Sequence, residues 1–240
     1  MKTIFHSAES RGFADHGWLK SYHSFSFANY HNPEKIHFGV LRVLNDDSVE
    51  GGMGFGKHPH HNMEIISIPL EGDLEHGDNM GNQGIIRKGD IQVMSAGSGI
   101  MHSEKNAHPN KRVKFLQIWI IPNQQNVPPR YDQKSIVKNA VKNDFQQILS
   151  PNPNNVGVWI YQDAWFHLAK FDKDFSKTYT LHQSGNGAYV FVIDGKIKIG
   201  DQTLTSRDAL GIWETSEFNI QALENSEFLI MDVPMQLPRL

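Results

Sequence analysis

Short runs of β-branched and aromatic residues, each closed off by Gly, Asn or Asp, recur along most of this chain. FGVLRVLNDD (38–47), MEIISIPLEGDLEHGD (63–78), GDIQVMSAGSG (89–99) and VKFLQIWIIP (113–122) have this form in the first half. Runs of this kind predict strands, and the polar clusters between them predict turns. GDNMGNQG (77–84) reads as a hairpin loop. Later come VGVWIYQDAWFHLAKF, KTYTLHQ, GAYVFVIDGKIKIG, DALGIWET, FNIQAL and SEFLIMDVP. Closely spaced strands with little helix predict an all-β fold, a barrel or a sandwich.

The pattern breaks in the middle. IPNQQNVPPRYDQ (121–133), rich in Pro, Asn and Gln, reads as a connection or surface arm. SIVKNAVKNDFQQIL (135–149) has apolar residues at roughly helical spacing and is the one predicted helix. The two sides of the break echo each other: ISIPLEGDLEH resembles VFVIDGKIKIG, and KFLQIWIIP resembles EFLIMDVP. An internal duplication of a small β-barrel accounts for this economically, with domains at 1–134 and 135–240.

Composition narrows the function classes. The 240 residues are 39 % hydrophobic and 20 % charged, with net charge −3 and no cysteine. Disulfides, thiolate metal sites and thiol nucleophiles are excluded. With no dense basic block, direct nucleic-acid binding through phosphates is disfavoured; KNAHPNKRVK (105–114) reads as a solvated loop. No apolar run has the length of a membrane span, and MKTIFHSAES lacks a secretory apolar region. A cytoplasmic location is the expectation.

Eleven of the thirteen histidines lie at or before His108. In KHPHHNMEI (57–65), His58 and His60 are two apart, so a strand projects both imidazoles to one side and turns His61 away. Pro59 between them suits a strand start or an edge. In SAGSGIMHSE (95–104), His102 and Glu104 repeat the spacing after a Gly-rich approach. Two such pairs on facing strands supply three neutral nitrogens and one carboxylate, a set for a divalent first-row metal that leaves two octahedral positions open. Glu64 lies four residues from His60, ~13 Å along a straight strand, and is expected to be an inward structural or supporting carboxylate. His61, His76 and His108 are expected to be hydrogen-bonded surface residues. Aligning Gly72 with Gly195 puts Leu181 and Gln183 opposite His58 and His60, with His182 on the other face. The second barrel is therefore expected to lack the site.

GWLKSYHSFSFANY (17–30), FGVLRVLNDDSV (38–49), GFGKHPHHNMEIISIPLEGDLEHGDNMGN (54–82), IQVMSAGSGIMHSEKN (91–106) and FLQIWIIP (115–122) together resemble the pirin family. The resemblance implies two cupin barrels in tandem, a bicupin, with the metal in the N-terminal one and a degenerate C-terminal one. It implies His58, His60, His102 and Glu104 as ligands, and iron(II) foremost among ions that include Zn, Mn, Co, Ni and Cu. Some bacterial pirins resemble quercetinases, which use a cupin metal and dioxygen to open a flavonol's central ring and release carbon monoxide. Glu104 is then the candidate catalytic base, and Phe55, Met53 and Met101 candidate walls for an aromatic substrate. Eukaryotic pirins are similar to transcriptional co-regulators that respond to the iron's oxidation state, which implies instead a redox-responsive interaction protein whose partner is unknown. A purely structural metal is the third alternative.

Overall fold

The computed structural model describes residues 1–238; Arg239 and Leu240, the end of the tail PMQLPRL, lie outside the described residues. Two barrels are present, each made of a seven-stranded and a four-stranded sheet. The first barrel's larger sheet runs in spatial order Arg130–Ser135, Asp90–Ser95, Glu64–Glu71, Val113–Ile120, Leu41–Val49, Leu19–His23, Gly12–Asp15. Its smaller sheet runs Gly54–His60, Ile100–Asn106, Asp73–Asp78, Gln83–Arg87. The second barrel repeats the plan: Lys2–His6, Ala209–Trp213, Asn186–Asp194, Ser226–Pro234, Trp165–Phe171, Phe145–Ser150, Val158–Trp159, with Ser176–Thr180, Glu217–Ala222, Lys196–Ile199, Gln202–Thr205. The duplication read from the sequence is a duplication of topology.

One edge strand crosses between the barrels. Lys2–His6, the first strand of the chain, pairs with Ala209–Trp213 of the second barrel. Arg130–Ser135, most of which falls in the stretch expected to be a connection or surface arm, pairs with Asp90–Ser95 of the first. Each of these strands covers an otherwise open sheet edge, and Lys2–His6 ties the halves together.

Strand alternation decides what lies where. Along Val113–Ile120, Leu116, Ile118 and Ile120 enter the core between the two large sheets, where they meet residues such as Phe166, Tyr189, Phe191 and Leu229. Val113 and Phe115 face the interior of the first barrel instead, and Gln117 shares their face by alternation. The second barrel's interior is one continuous apolar cluster that includes Val190, Ile197, Phe218, Ile220, Phe228 and Ile230. The first barrel's interior is split into two smaller clusters, Leu19, Val49, Leu74, Ile86, Val113, Phe115 and Ile65, Met94, Ala96, Ile100. Buried polar residues, among them Asn45, Ser67, His102, Glu104 and Gln117, interrupt it. Each aliphatic side chain buried is worth about 1.5–3 kcal/mol. The first barrel thus forgoes stability that the second one keeps.

The helix expected at 135–149 is absent. Val137–Asn139 forms a single 3-10 turn and Phe145–Ser150 a strand paired with Trp165–Phe171. A helix would need Val137 and Val141 on its buried face, yet they are 62 % and 44 % exposed. Ile148 and Leu149 both reach the inter-barrel core from the strand, and that burial outweighs the local pattern. No helix among the described residues is long and apolar enough to cross a membrane.

Candidate metal centre

Gly54–His60 is the outer strand of the small sheet, so Pro59 forfeits no ladder hydrogen bond on its free side. Its neighbour Ile100–Asn106 is reached through Gly97 and Gly99, both at positive φ (47° and 132°), where a side chain would be strained. The pairing sets His58 opposite His102. Ring centroids are 4.4 Å apart for His58 and His102, 4.8 Å for His58 and His60, and 4.9 Å for His60 and His102. The ligating nitrogens of these three residues all lie within 4.8 Å of one another. His61 is exposed, as alternation predicts.

The unpaired atoms fit a metal ion. His58 Nδ1 lies 2.8 Å from the Gly56 carbonyl, which can only accept, so Nδ1 carries the proton and Nε2 the lone pair. His60 Nε2 and both ring nitrogens of His102 are buried with no hydrogen-bond partner. Unmet groups of this kind cost about 1–3 kcal/mol each, and a cation shared by the three rings removes that cost for one nitrogen of each ring. Burial, then the neighbouring His58, pushes the His60 pKa down to about 4; burial lowers His102 further. Both rings are neutral at pH 7, as ligands must be.

Glu104 stands beside this cluster without being part of the three-residue group. The pairing slips by one residue between His102 and Glu104, which leaves Glu104 opposite Phe55. Its carboxyl is buried, with Oε1 3.0 Å from Ser67 Oγ and Oε2 accepting from Gln117 Nε2 at 3.2 Å. Ser67 Oγ donates to Gln117 Oε1 at 2.8 Å. Burial raises the Glu104 pKa to about 7. A protonated Glu104 can therefore donate a hydrogen bond to Ser67, whose own hydroxyl donates to Gln117 Oε1, and the network closes. Glu64 is buried elsewhere, accepts from Ser95 Oγ at 2.7 Å and has its pKa raised to about 7 by burial. It is an inward structural carboxylate.

His76 corrects the expectation of a surface residue. It is buried, with its ring 5.3 Å from His102 and 4.6 Å from Tyr131. It lies opposite Glu104 on Asp73–Asp78, a strand whose inward face reading the sequence in isolation did not assign. His108 is part-exposed and bonded to Asp73 Oδ2 at 3.0 Å, as expected.

A cavity of about 490 Å³ opens onto the cluster. One wall carries Trp18 and Phe55, 5.4 Å apart, leading to His58. The other carries Phe27 and Trp119, 5.4 Å apart, with Trp119 4.9 Å from His60. Of the expected walls only Phe55 is present; Met53 and Met101 are largely exposed and do not line it. Trp18, Phe27 and Trp119 were visible only as aromatics within GWLKSYHSFSFANY and FLQIWIIP. Asp47, held by the Ser21 hydroxyl, also lines the cavity, and burial raises its pKa to about 7.

In the second barrel, Tyr179 faces Phe218 across the strands, as His58 faces His102 in the first. The counterpart of His58 is thus Tyr179 and not Leu181, an offset of two. Ile220 and Ile230 occupy the places of Glu104 and Gln117. His182 corrects a further expectation, because the strand ends at Thr180 and alternation stops there. Its Nδ1 reaches the fully buried Asp232 at 3.0 Å, and its ring stacks on Trp165 at 4.8 Å. Tyr179 Oη donates to the same carboxylate at 3.2 Å and Asn186 Nδ2 donates at 2.7 Å. This hydrogen-bonded knot closes the barrel end where the first one has its cluster.

Two stacked barrels of this topology, one with an inward histidine triad able to hold a metal, define a metal-binding bicupin. The pirin family model matches residues 5–120, and the model for the quercetinase C-terminal cupin domain matches 147–233. This chain belongs to the pirin family. It is 40 % identical over 227 residues to a quercetin 2,3-dioxygenase of Escherichia coli K12, covering 95 % of this chain and 96 % of that protein. Among solved structures, the bacterial pirin YhhW of Escherichia coli in complex with nickel(II) superposes with a TM-score of 0.92 at 38 % identity, covering 97 % of this chain and 99 % of that one. A quercetin 2,3-dioxygenase of Acinetobacter baumannii shares the fold at 20 % identity, with a TM-score of 0.80 and coverage of 97 % and 86 %.

Proposed function

We propose that this chain is a metal-dependent dioxygenase that opens the central ring of a flavonol-like substrate with dioxygen. The observation that carries this reading is the meeting of the three-histidine cluster with a cavity lined by two aromatic pairs, Trp18 with Phe55 and Phe27 with Trp119. A lining of this kind suits an aromatic ligand. The names of the full-length relatives point the same way.

His58, His60 and His102 would hold the ion, with Glu104 as the fourth ligand. The chemistry supplied by a bound ion would be Lewis acidity toward the flavonol hydroxyl and ketone, together with redox activity toward dioxygen. Iron(II) is the ion we propose, since zinc lacks that redox activity while the donor set accepts most of the divalent series. Glu104, as a ligand or partly released from the ion, takes the proton of the substrate hydroxyl. Ser67 and Gln117 hold its carboxyl in place for that transfer. The aromatic walls align the ring and keep water from the reacting face.

The test is oxygen uptake by protein loaded in turn with iron, manganese, cobalt, nickel or copper, against a small flavonol panel that includes quercetin. Dioxygen consumption matched by carbon monoxide release is expected with at least one ion. No uptake across the whole set overturns the assignment.

A further inference from the structure

We infer that His23 and Asn45 form a recognition subsite for a hydroxyl group of the substrate, in the cavity that opens onto the histidine triad. The inference rests on the flavonol reading above and adds what that reading leaves open, the substituent that the pocket selects.

The two residues stand directly opposite each other on the paired strands Leu19–His23 and Leu41–Val49. Both line the cavity. Both are deeply buried, at 3 % and 2 % exposure. Each has an atom with no hydrogen-bond partner, Nδ1 of His23 and Oδ1 of Asn45. Neither belongs to the metal centre nor to the Ser67–Glu104–Gln117 network. They are linked to the triad by a series of rings: His60 to Trp119 at 4.9 Å, Trp119 to Phe27 at 5.4 Å, and Phe27 to His23 at 5.3 Å. A ligand that fills this cavity with its oxygens at the triad meets His23 and Asn45 as well, since the same cavity is lined by both.

The chemistry of the pair suits one hydroxyl. Asn45 Oδ1 accepts an O–H, and a neutral imidazole nitrogen either accepts or donates according to its tautomer. Burial keeps the His23 ring neutral. A ligand without the hydroxyl leaves both atoms buried and unpaired, which is how a site of this kind discriminates. Backbone hydrogen bonds of the sheet fix the pair in position, so little ordering cost falls on binding.

The experiment is calorimetric binding to the metal-loaded protein without oxygen, which reads affinity and not turnover. The ligands are 3-hydroxyflavone, which carries only the hydroxyl beside the ketone, and analogues with one further hydroxyl on the pendant or the fused ring. At least one analogue is expected to bind about tenfold more tightly than 3-hydroxyflavone, the effect of one well-made hydrogen bond. In Asn45→Leu and His23→Phe that ratio is expected to fall to within about twofold of unity. The wild-type ligand series decides the matter even where a variant fails to fold. Equal affinities in the wild type, or a ratio that survives both substitutions, overturn the subsite alone. No flavonol binding of any kind overturns the dioxygenase reading together with it.

Discussion

His58 and His102 face each other across a strand pair with their rings 4.4 Å apart, and neither ring nitrogen of His102 has a partner within the protein. Unpartnered imidazoles at that distance, with a third ring beside them, are an arrangement that a bound cation stabilises and that apolar packing does not.

Removing one ligand should therefore remove the ion without removing the fold. His60→Ala is expected to weaken metal affinity by about 100-fold or more while the far-UV circular dichroism stays that of the parent. Elemental analysis after dialysis reads the first quantity. Metal retained near one ion per chain in the variant contradicts the assignment of His60.

The network behind Glu104 trades stability for function. Ser67, Glu104 and Gln117 correspond to Val190, Ile220 and Ile230 in the apolar second barrel. The triple variant Ser67→Val, Glu104→Ile, Gln117→Ile should raise the melting temperature of the metal-free protein by roughly 3 °C or more, a gain of about 1–2 kcal/mol. The same protein should show no oxygen uptake with flavonols. A lower melting temperature in differential scanning calorimetry shows that the polar network is itself stabilising.

The second barrel's knot is structural. Asp232→Ala strips acceptors from Tyr179, His182 and Asn186 at a fully buried position, at a cost of about 3 kcal/mol. Urea denaturation reads this directly, and metal stoichiometry should stay at the parent value. A cost well below about 1 kcal/mol contradicts the role given to Asp232.

Acid should act on the same region through His167. Burial, then the nearby His182, holds its pKa down to about 4 from 6.5. The folded state binds this proton less well than the unfolded chain does. The stability it contributes is complete above pH 6.5 and is lost as pH falls through about 4, a change of about 3 kcal/mol. Denaturation at pH 7 and pH 4 should show the wild type losing that much more than His167→Gln. Parallel losses contradict it.

The histidine cluster was legible in the sequence because strand alternation is local: HPH carries its geometry in a two-residue spacing, and His102 needs only to pair with it, whereas the slip after His102 sets Glu104 apart. The two-barrel plan was legible for a similar reason, since each strand–Gly–strand unit repeats. The cavity was not. Trp18, His23 and Phe27 from 17–30 meet Asn45 and Trp119 only once Leu19–His23, Leu41–Val49 and Val113–Ile120 pair side by side in the large sheet. The counterpart of His58 was misplaced by two residues because Gly72 and Gly195 align while the strands ahead of them differ in pairing. The helix at 135–149 failed because Ile148 and Leu149 bury more surface in a strand against the other barrel than local spacing can offer.

The central claim is most directly tested by anomalous X-ray diffraction from crystals grown with iron(II), collected above and below the iron edge. One anomalous peak is expected within bonding distance of His58 Nε2, His60 Nε2 and a ring nitrogen of His102. Rings turned apart around an empty space, in crystals replete with iron, would contradict it.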